Sequence, residues 1–368
     1  IHFEPYENDY RVRMRIDGQL RELPSAPVAF RERLAARIKV MARLDVAEKR
    51  LPQDGRMKLQ LQDGRELDLR VSTLPTLFGE KVVVRVLDAR QAQLDLAMLG
   101  YEASDLEVLK QAIRRPHGMV LVTGPTGSGK TQSLYACLNL LNTSEVNIAT
   151  VEDPCEIQMT GVNQVNVQDK PGLNFAVALR AFLRQDPDIL MVGEIRDLET
   201  AQIAIQAAQT GHLVLSTLHT NDAPATLVRL RNMGVAPYNI AASVSLITAQ
   251  RLIRRLCEQC REPVSVNQDI WRQAGLAADT LPAEGFRIYI PRGCSACHKG
   301  FKGRTGIFQV MPMSDALQEL VMQDASGLAL ARQARQDGVR SLREAGLRKV
   351  IAGETSLDEV LAATREQA

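Results

Sequence analysis

The sequence predicts an α/β protein with a parallel-rich sheet, preceded by a smaller α+β domain. Three observations carry this. A glycine-rich loop, Gly124-Pro125-Thr126-Gly127-Ser128-Gly129-Lys130-Thr131, sits between a short apolar strand (119–122) and a helical run (132–141). Beyond it, strand-like and helical runs alternate, which implies a mostly parallel sheet with helices on both faces. Before it, the first ninety or so residues show period-two patterning broken by Asp-Gly turns.

In the first segment Tyr10, Val12, Met14 and Ile16 alternate with Arg11, Arg13 and Arg15, and Asp17-Gly18 supplies a hairpin turn. Residues 28–44 carry Leu34, Ile38 and Met41 at helical spacing. A second hairpin runs through Met57, Leu59 and Leu61, turns at Asp63-Gly64, and returns through Leu67, Leu69 and Val71; residues 81–87 close the sheet. The expected domains are 1–90, a linker at 91–99 within the broader linker-like stretch 88–99, and a core at 100–368. In the core, strands are expected at 120–123, 148–151, 189–192 and 213–217, and helices at 132–141, 175–184, 198–209 and 223–233. A long helix is expected at 238–256, and short helices from 314 to the end.

Bulk composition excludes several classes. The chain is 45% hydrophobic and 24% charged with net charge +2, so bulk nucleic-acid binding has no electrostatic support. Aromatics are scarce at 4%, with Trp271 the single Trp. No apolar run reaches the roughly 18 residues of a membrane span. The chain starts without Met and lacks a basic-then-apolar leader, so it reads as a fragment of a longer protein rather than a secretory precursor.

The loop matches G-x-x-x-x-G-K-[ST], and its strand–loop–helix flanks are the context that motif requires. Its backbone N–H groups and the helix N-terminus suit a phosphate, Lys130 suits the β/γ-phosphates, and Thr131 suits Mg²⁺. In parallel α/β sheets, ligands gather at the C-terminal strand ends. Two such ends are acidic here. One runs into Glu152-Asp153-Pro154-Cys155-Glu156, and the other, 189–193, into Glu194. A carboxylate after an apolar strand can order Mg²⁺-bound or attacking water. Three carboxylates packed against a polyanion would repel, so Glu194 and Glu156 take the metal and water roles, with Glu152 as the alternative. His219, just past the strand at 213–217, is placed to sense a γ-phosphate. His212, before that strand, suits a structural hydrogen bond.

Four of the six cysteines form two C-x-x-C pairs, Cys257/Cys260 and Cys294/Cys297. Two such pairs offer a closed tetrahedral Zn²⁺ site. Reduced structural thiols or a redox pair are the plainer alternatives. Cys294-Ser295-Ala296-Cys297-His298 also fits the c-type haem pattern, which would leave Cys257 and Cys260 unexplained. Cys137 and Cys155 read as core. Arg251, Arg254 and Arg255 read as a basic cluster on the solvated face of the expected helix.

These motifs together resemble the secretion ATPases of type IV pilus assembly and type II secretion. The carriers are 124–131, 150–156, 186–197 and 210–222, in that family's Walker A, Asp box, Walker B and His box order. Residues 1–5 and 51–56 resemble its N-terminal core domain. The resemblance implies a RecA-like P-loop core hydrolysing ATP with Mg²⁺, a PAS-like α+β domain, a tetracysteine zinc subdomain at 257–300 and a homo-hexameric ring. It implies that Arg70 and Arg85 contact the nucleotide phosphates, although their alternation with apolar residues alone reads as a solvated strand face. It further implies cytoplasmic action, peripheral at the bacterial inner membrane, with a platform protein and cytoplasmic assembly components as partners and no direct nucleic-acid contact. Residues 163–174 and 220–224 lean toward pilus assembly over secretion. Two other classes stay open: a RecA-like nucleic-acid motor, and a nucleotide-gated scaffold that does not hydrolyse.

Overall fold

The computed structural model describes residues 1–61, 63–64, 66–87, 95–168, 171–275 and 286–365. The chain divides into two compact units, Ile1–Gln91 and Ala92–Ala368. Residues 88–94 of the expected linker lie outside the described residues. Of the rest, Leu96–Leu99 is a single 3₁₀ turn capped by the Asp95 carboxylate.

The first unit runs β1 (His2–Pro5), β2 (Tyr10–Ile16), β3 (Gln19–Leu23), α1 (Arg31–Met41), β4 (Gln53–Gln60), β5 (Glu66–Thr76) and β6 (Gly79–Leu87). A 3₁₀ turn at Val28–Phe30 precedes α1, so the helix is shorter than 28–44. The strands form one antiparallel sheet in the order β3-β2-β1-β6-β5-β4. Ile16 pairs with Gln19 across a two-residue turn in which Asp17 and Gly18 have φ of 51° and 82°. Positive φ at both positions is the mirror-type turn whose twist matches a hairpin. Leu69, Val71, Val82 and Val84 cover one face of the sheet with Ala35 and Ile38 of α1. The arginines lie on the other face.

The second unit begins with α2 (Ala103–Ile113), β7 (Gly118–Thr123), α3 (Lys130–Leu141), β8 (Ile148–Glu152), β9 (Asn163–Asn166), α4 (Phe175–Phe182) and β10 (Ile189–Val192). It continues through α5 (Leu198–Gln209), β11 (Leu213–Leu218), α6 (Ala223–Asn232), α7 (Pro237–Ser243) and β12 (Val244–Leu256). Then follow β13 (Glu262–Ser265), α8 (Gln268–Ala274), β14 (Arg287–Ile290), β15 (Phe301–Pro312) and the helices α9 (Asp315–Met322), α10 (Gly327–Gln336), α11 (Leu342–Ile351) and α12 (Leu357–Ala363). Its main sheet is ordered β15-β12-β7-β11-β10-β8-β9, and only the β12–β15 pairing is antiparallel. Both faces are covered. Met119 and Leu121 of β7 pack with α4, α5 and α6, while Val120 and Val122 pack with α2 and α3. A strand buried on both sides reads as a continuous apolar run, as 118–123 does.

The expected helix at 238–256 is corrected. Only Pro237–Ser243 is helical, and Val244–Leu256 is a 13-residue strand between β7 and β15. Leu246, Ile247, Thr248 and Ala249 are consecutive and all fully buried, because the strand is covered on both faces. Such a run has no period that separates it from a buried helix. The Arg251/Arg254/Arg255 cluster is therefore not helical either. Arg254 is bound at both its Nε and Nη2 by Glu359, at 3.0 and 2.6 Å, and lies over the Phe301 ring.

Candidate active site and candidate metal centre

The loop 124–129 leaves β7 and enters α3 directly, so the sheet's C-terminal edge and a helix N-terminus meet there. Gly129 caps α3 at φ 89°, a left-handed conformation that favours glycine. Gly124 has φ 149°, and a Cβ there would lie 2.5 Å from the Gln250 carbonyl oxygen. Gln250 on β12 also braces the loop through its side chain. Its Nε2 donates to Ser128 O, and its Oε1 accepts from Ser133 Oγ, both at 2.8 Å. The Lys130 ammonium donates to the carbonyls of Gly124 and Pro125 at 2.8 and 3.1 Å. Burial pushes its pKa down, opposed by the Glu194 carboxylate. An ammonium held by two carbonyls and partly stripped of water is a ready partner for a phosphate.

β10 and β11 are parallel neighbours with Val192 opposite Ser216. The chain leaves them at Gly193-Glu194 and at His219, and Glu194 Oε2 lies 3.3 Å from His219 Nε2. The other Glu194 oxygen accepts from Arg196, whose second arm reaches Asp153 at 3.3 Å. The glycine before Glu194 suits a close approach, since a Cβ on Gly193 would lie 3.3 Å from Glu152 Cα, tighter than ordinary contact. His212, at the other end of β11, meets the Ala207 carbonyl through Nδ1 at 3.0 Å, a structural hydrogen bond.

Glu152 ends β8 and is 3% exposed. Tyr135 Oη donates to one oxygen, and Thr150 Oγ1 and Gln164 Nε2 donate to the other at 2.8 and 3.2 Å. Glu156 is half-buried, and its backbone N–H donates to the same Tyr135 oxygen at 3.2 Å.

In the first unit, Arg70 of β5 is directly opposite Arg85 of β6 on one side and Arg56 of β4 on the other. Arg70 approaches Asp54 at 3.6 Å. Like charges opposite one another cost stability, which the approach of Asp54 to Arg70 partly offsets.

The four paired cysteines converge. Their sulfurs all lie within 4.8 Å of one another, with Cys257–Cys294 at 3.9 Å and Cys260–Cys297 at 3.6 Å. Zinc–sulfur bonds of about 2.3 Å in a tetrahedron imply sulfur–sulfur separations of about 3.8 Å. The donor set therefore fits such an ion, and all four cysteines are free of disulfides. Cys257 follows β12 and Cys297 shortly precedes β15, so the cluster closes the end of that antiparallel ribbon. All four thiols fall in one cluster, which the haem pattern does not account for.

Sequence reasoning missed Tyr135, Gln250, Arg196 and Arg56. Nothing local marks Tyr135 and Gln250, whose partners are distant in sequence. Arg196 lay within the recognised stretch 186–197, two residues from Glu194, but its reach to Asp153 depends on the pairing of β8 with β10. Arg56 lay within the recognised stretch 51–56, but its place opposite Arg70 depends on strand register.

The fold and site define a parallel-rich α/β core with a glycine-rich phosphate-loop motif, joined to an α+β unit and bearing a four-cysteine cluster. The chain belongs to the family described as "Type II/IV secretion system protein", whose model matches residues 1–362. It is 55% identical over 366 residues to "Type IV pilus assembly ATPase PilB" of Acinetobacter baylyi, covering 100% of this chain and 63% of that protein. It is 49% identical over 367 residues to "Type II secretion system ATPase E" of Vibrio cholerae, covering 100% of this chain and 72% of that protein. The chain thus spans somewhat under two thirds of the length of the pilus relative. Among solved structures, "the Pilus Retraction Motor PilT and Bound ADP" matches with TM-score 0.67 at 23% identity, covering 100% of this chain and 93% of that one. The Legionella pneumophila ATPase DotB matches with TM-score 0.68 at 18% identity, covering 96% and 90%. At those identities the likeness is one of fold.

Proposed function

We propose that this chain is the catalytic part of a hexameric, Mg²⁺-dependent ATPase that drives type IV pilus assembly at the bacterial inner membrane. One observation carries the reading. The P-loop, with its partly desolvated Lys130, and the Glu194–His219 pair share the C-terminal edge of the neighbouring strands β7, β11 and β10. A phosphate chain cradled by 124–130 would lie along that edge.

Glu194 orders the attacking water, and His219 orients the Glu194 carboxylate and senses the γ-phosphate. Thr131 and Glu156 hold Mg²⁺, with Glu152 as the alternative to Glu156. When bound there, the ion would supply charge neutralisation for the phosphates. Glu152 is the weaker choice because Tyr135, Thr150 and Gln164 already use both its oxygens. Arg70 and Arg85 supply guanidinium groups that stabilise transferring phosphoryl charge. Zinc at Cys257, Cys260, Cys294 and Cys297 serves a structural role.

Identities of 55, 52 and 54% to the pilus assembly ATPases, against 48–50% to the type II secretion proteins, favour pilus assembly. The partners are then an inner-membrane platform protein and the cytoplasmic assembly components. Among the described residues no helix is long and apolar enough to cross a membrane, which is compatible with peripheral attachment. The test is genetic and biochemical together. The full-length gene should restore surface pili to a host lacking its pilus assembly ATPase, and the Glu194→Gln form should not. Restoration of type II secretion instead would favour the secretion reading. DNA-stimulated hydrolysis with steep salt dependence would favour a nucleic-acid motor.

A further inference from the structure

We propose that Tyr135 is a positioning residue for ATP hydrolysis, its phenol oxygen fixing the acidic segment 152–156 to the helix that follows the P-loop. This rests on the ATPase reading above. Tyr135 is 1% exposed on α3, one helical turn beyond Thr131 and on the same face. Its single oxygen serves both ends of the acidic segment. It donates to the Glu152 carboxylate at 2.5 Å and accepts the Glu156 backbone N–H at 3.2 Å.

β9 holds the segment from the other side. Gln164 Nε2 donates to Glu152 and to the Ile157 carbonyl, its Oε1 accepts the Met159 N–H at 2.7 Å, and Asn166 Oδ1 accepts the Cys155 N–H at 2.7 Å. A turn carrying three carboxylates next to a phosphate site tends to splay by mutual repulsion. These bonds oppose that. Of them, the Tyr135 pair is the one that references the turn to the helix bearing Lys130 and Thr131. The hydroxyl is engaged by Glu152 and Glu156, so its effect on catalysis is through them.

The experiment compares full-length wild type with Tyr135→Phe. The expected result is a kcat lower by roughly tenfold to a hundredfold, with KM for ATP and Kd for ADP changed by less than about twofold and the thermal midpoint lowered by only a few degrees, since a buried carboxylate and an amide each lose a partner. Hydrogen exchange at the Glu156 amide should be as slow as in β8 in the wild type and at least about tenfold faster in the variant. An unchanged kcat would overturn the proposal, as would a parallel loss of kcat and nucleotide affinity. So would a Glu156 amide that exchanges like open loop in the wild type, a measurement that needs no variant to fold. Absence of ATP turnover by the wild type would instead overturn the ATPase reading, and Tyr135 would be judged on amide exchange alone.

Discussion

Glu194 and His219 face one another from the ends of adjacent parallel strands, with 3.3 Å between carboxylate oxygen and imidazole nitrogen. They are far apart in sequence, and β10–β11 pairing makes them neighbours. With Arg196 on its second oxygen, Glu194 is held in orientation from two sides.

Replacing Glu194 by Gln keeps the shape and removes the charge that orders water. ATP turnover should fall by about a hundredfold or more, while calorimetric ADP affinity changes by less than about threefold. Surviving hydrolysis would remove Glu194 from the water role.

Gln250 gives a contrasting signature. Gln250→Ala strips the brace from Ser128 O and Ser133 Oγ, two buried hydrogen bonds worth about 1 kcal/mol each. A loosened loop should weaken ADP binding by roughly tenfold and leave kcat at saturating ATP nearly intact. Fluorescent-ADP titration beside steady-state kinetics checks the split.

Cys294→Ser removes one of four converging thiols. Bound zinc, measured by elemental analysis, should drop from one per chain to well below it. Urea should then unfold the second unit at lower concentration, with Trp271 fluorescence as the probe, because α8 lies between the two cysteine pairs. Unchanged stoichiometry would count against a four-cysteine site.

Acid should weaken the first unit through Glu4, which is 3% exposed. The hydrogen bond from Arg13, helped by Lys81, holds its carboxyl down to about 2 against an ordinary value of 4.5. A depressed folded-state pKa stabilises above the unfolded value and is lost as pH falls toward the folded one. The stability gap between wild type and Glu4→Gln, on the order of 2 kcal/mol at neutral pH, should shrink from about pH 4.5 and close near pH 2. Calorimetric midpoints at several pH values would show it.

Legibility in the sequence followed the range of the interactions. The Asp17-Gly18 hairpin and the β7–loop–α3 unit were readable because each is set by contiguous residues and their backbone preferences. β12 was not, because a strand buried on both faces loses the alternation that would announce it. Read as a helix, this stretch gives Gln250 and Arg254 no reason to face the P-loop or Glu359. Tyr135 was invisible for another reason: an apolar-looking residue in a helical run gives no hint that its hydroxyl ends between two carboxylate-bearing positions.

The sequence by itself determined the chemical inventory: a phosphate loop with its lysine, acids and a histidine after apolar strands, and two pairs of thiols. Short-range periodicity and turn chemistry encode such features within a few residues. The tertiary structure alone decided which members meet. Strand order set Glu194 against His219, register lined up Arg56, Arg70 and Arg85, and the β12–β15 ribbon brought four sulfurs to one point. Those neighbours arise from pairing between distant segments, and no local period in a chain carries that information.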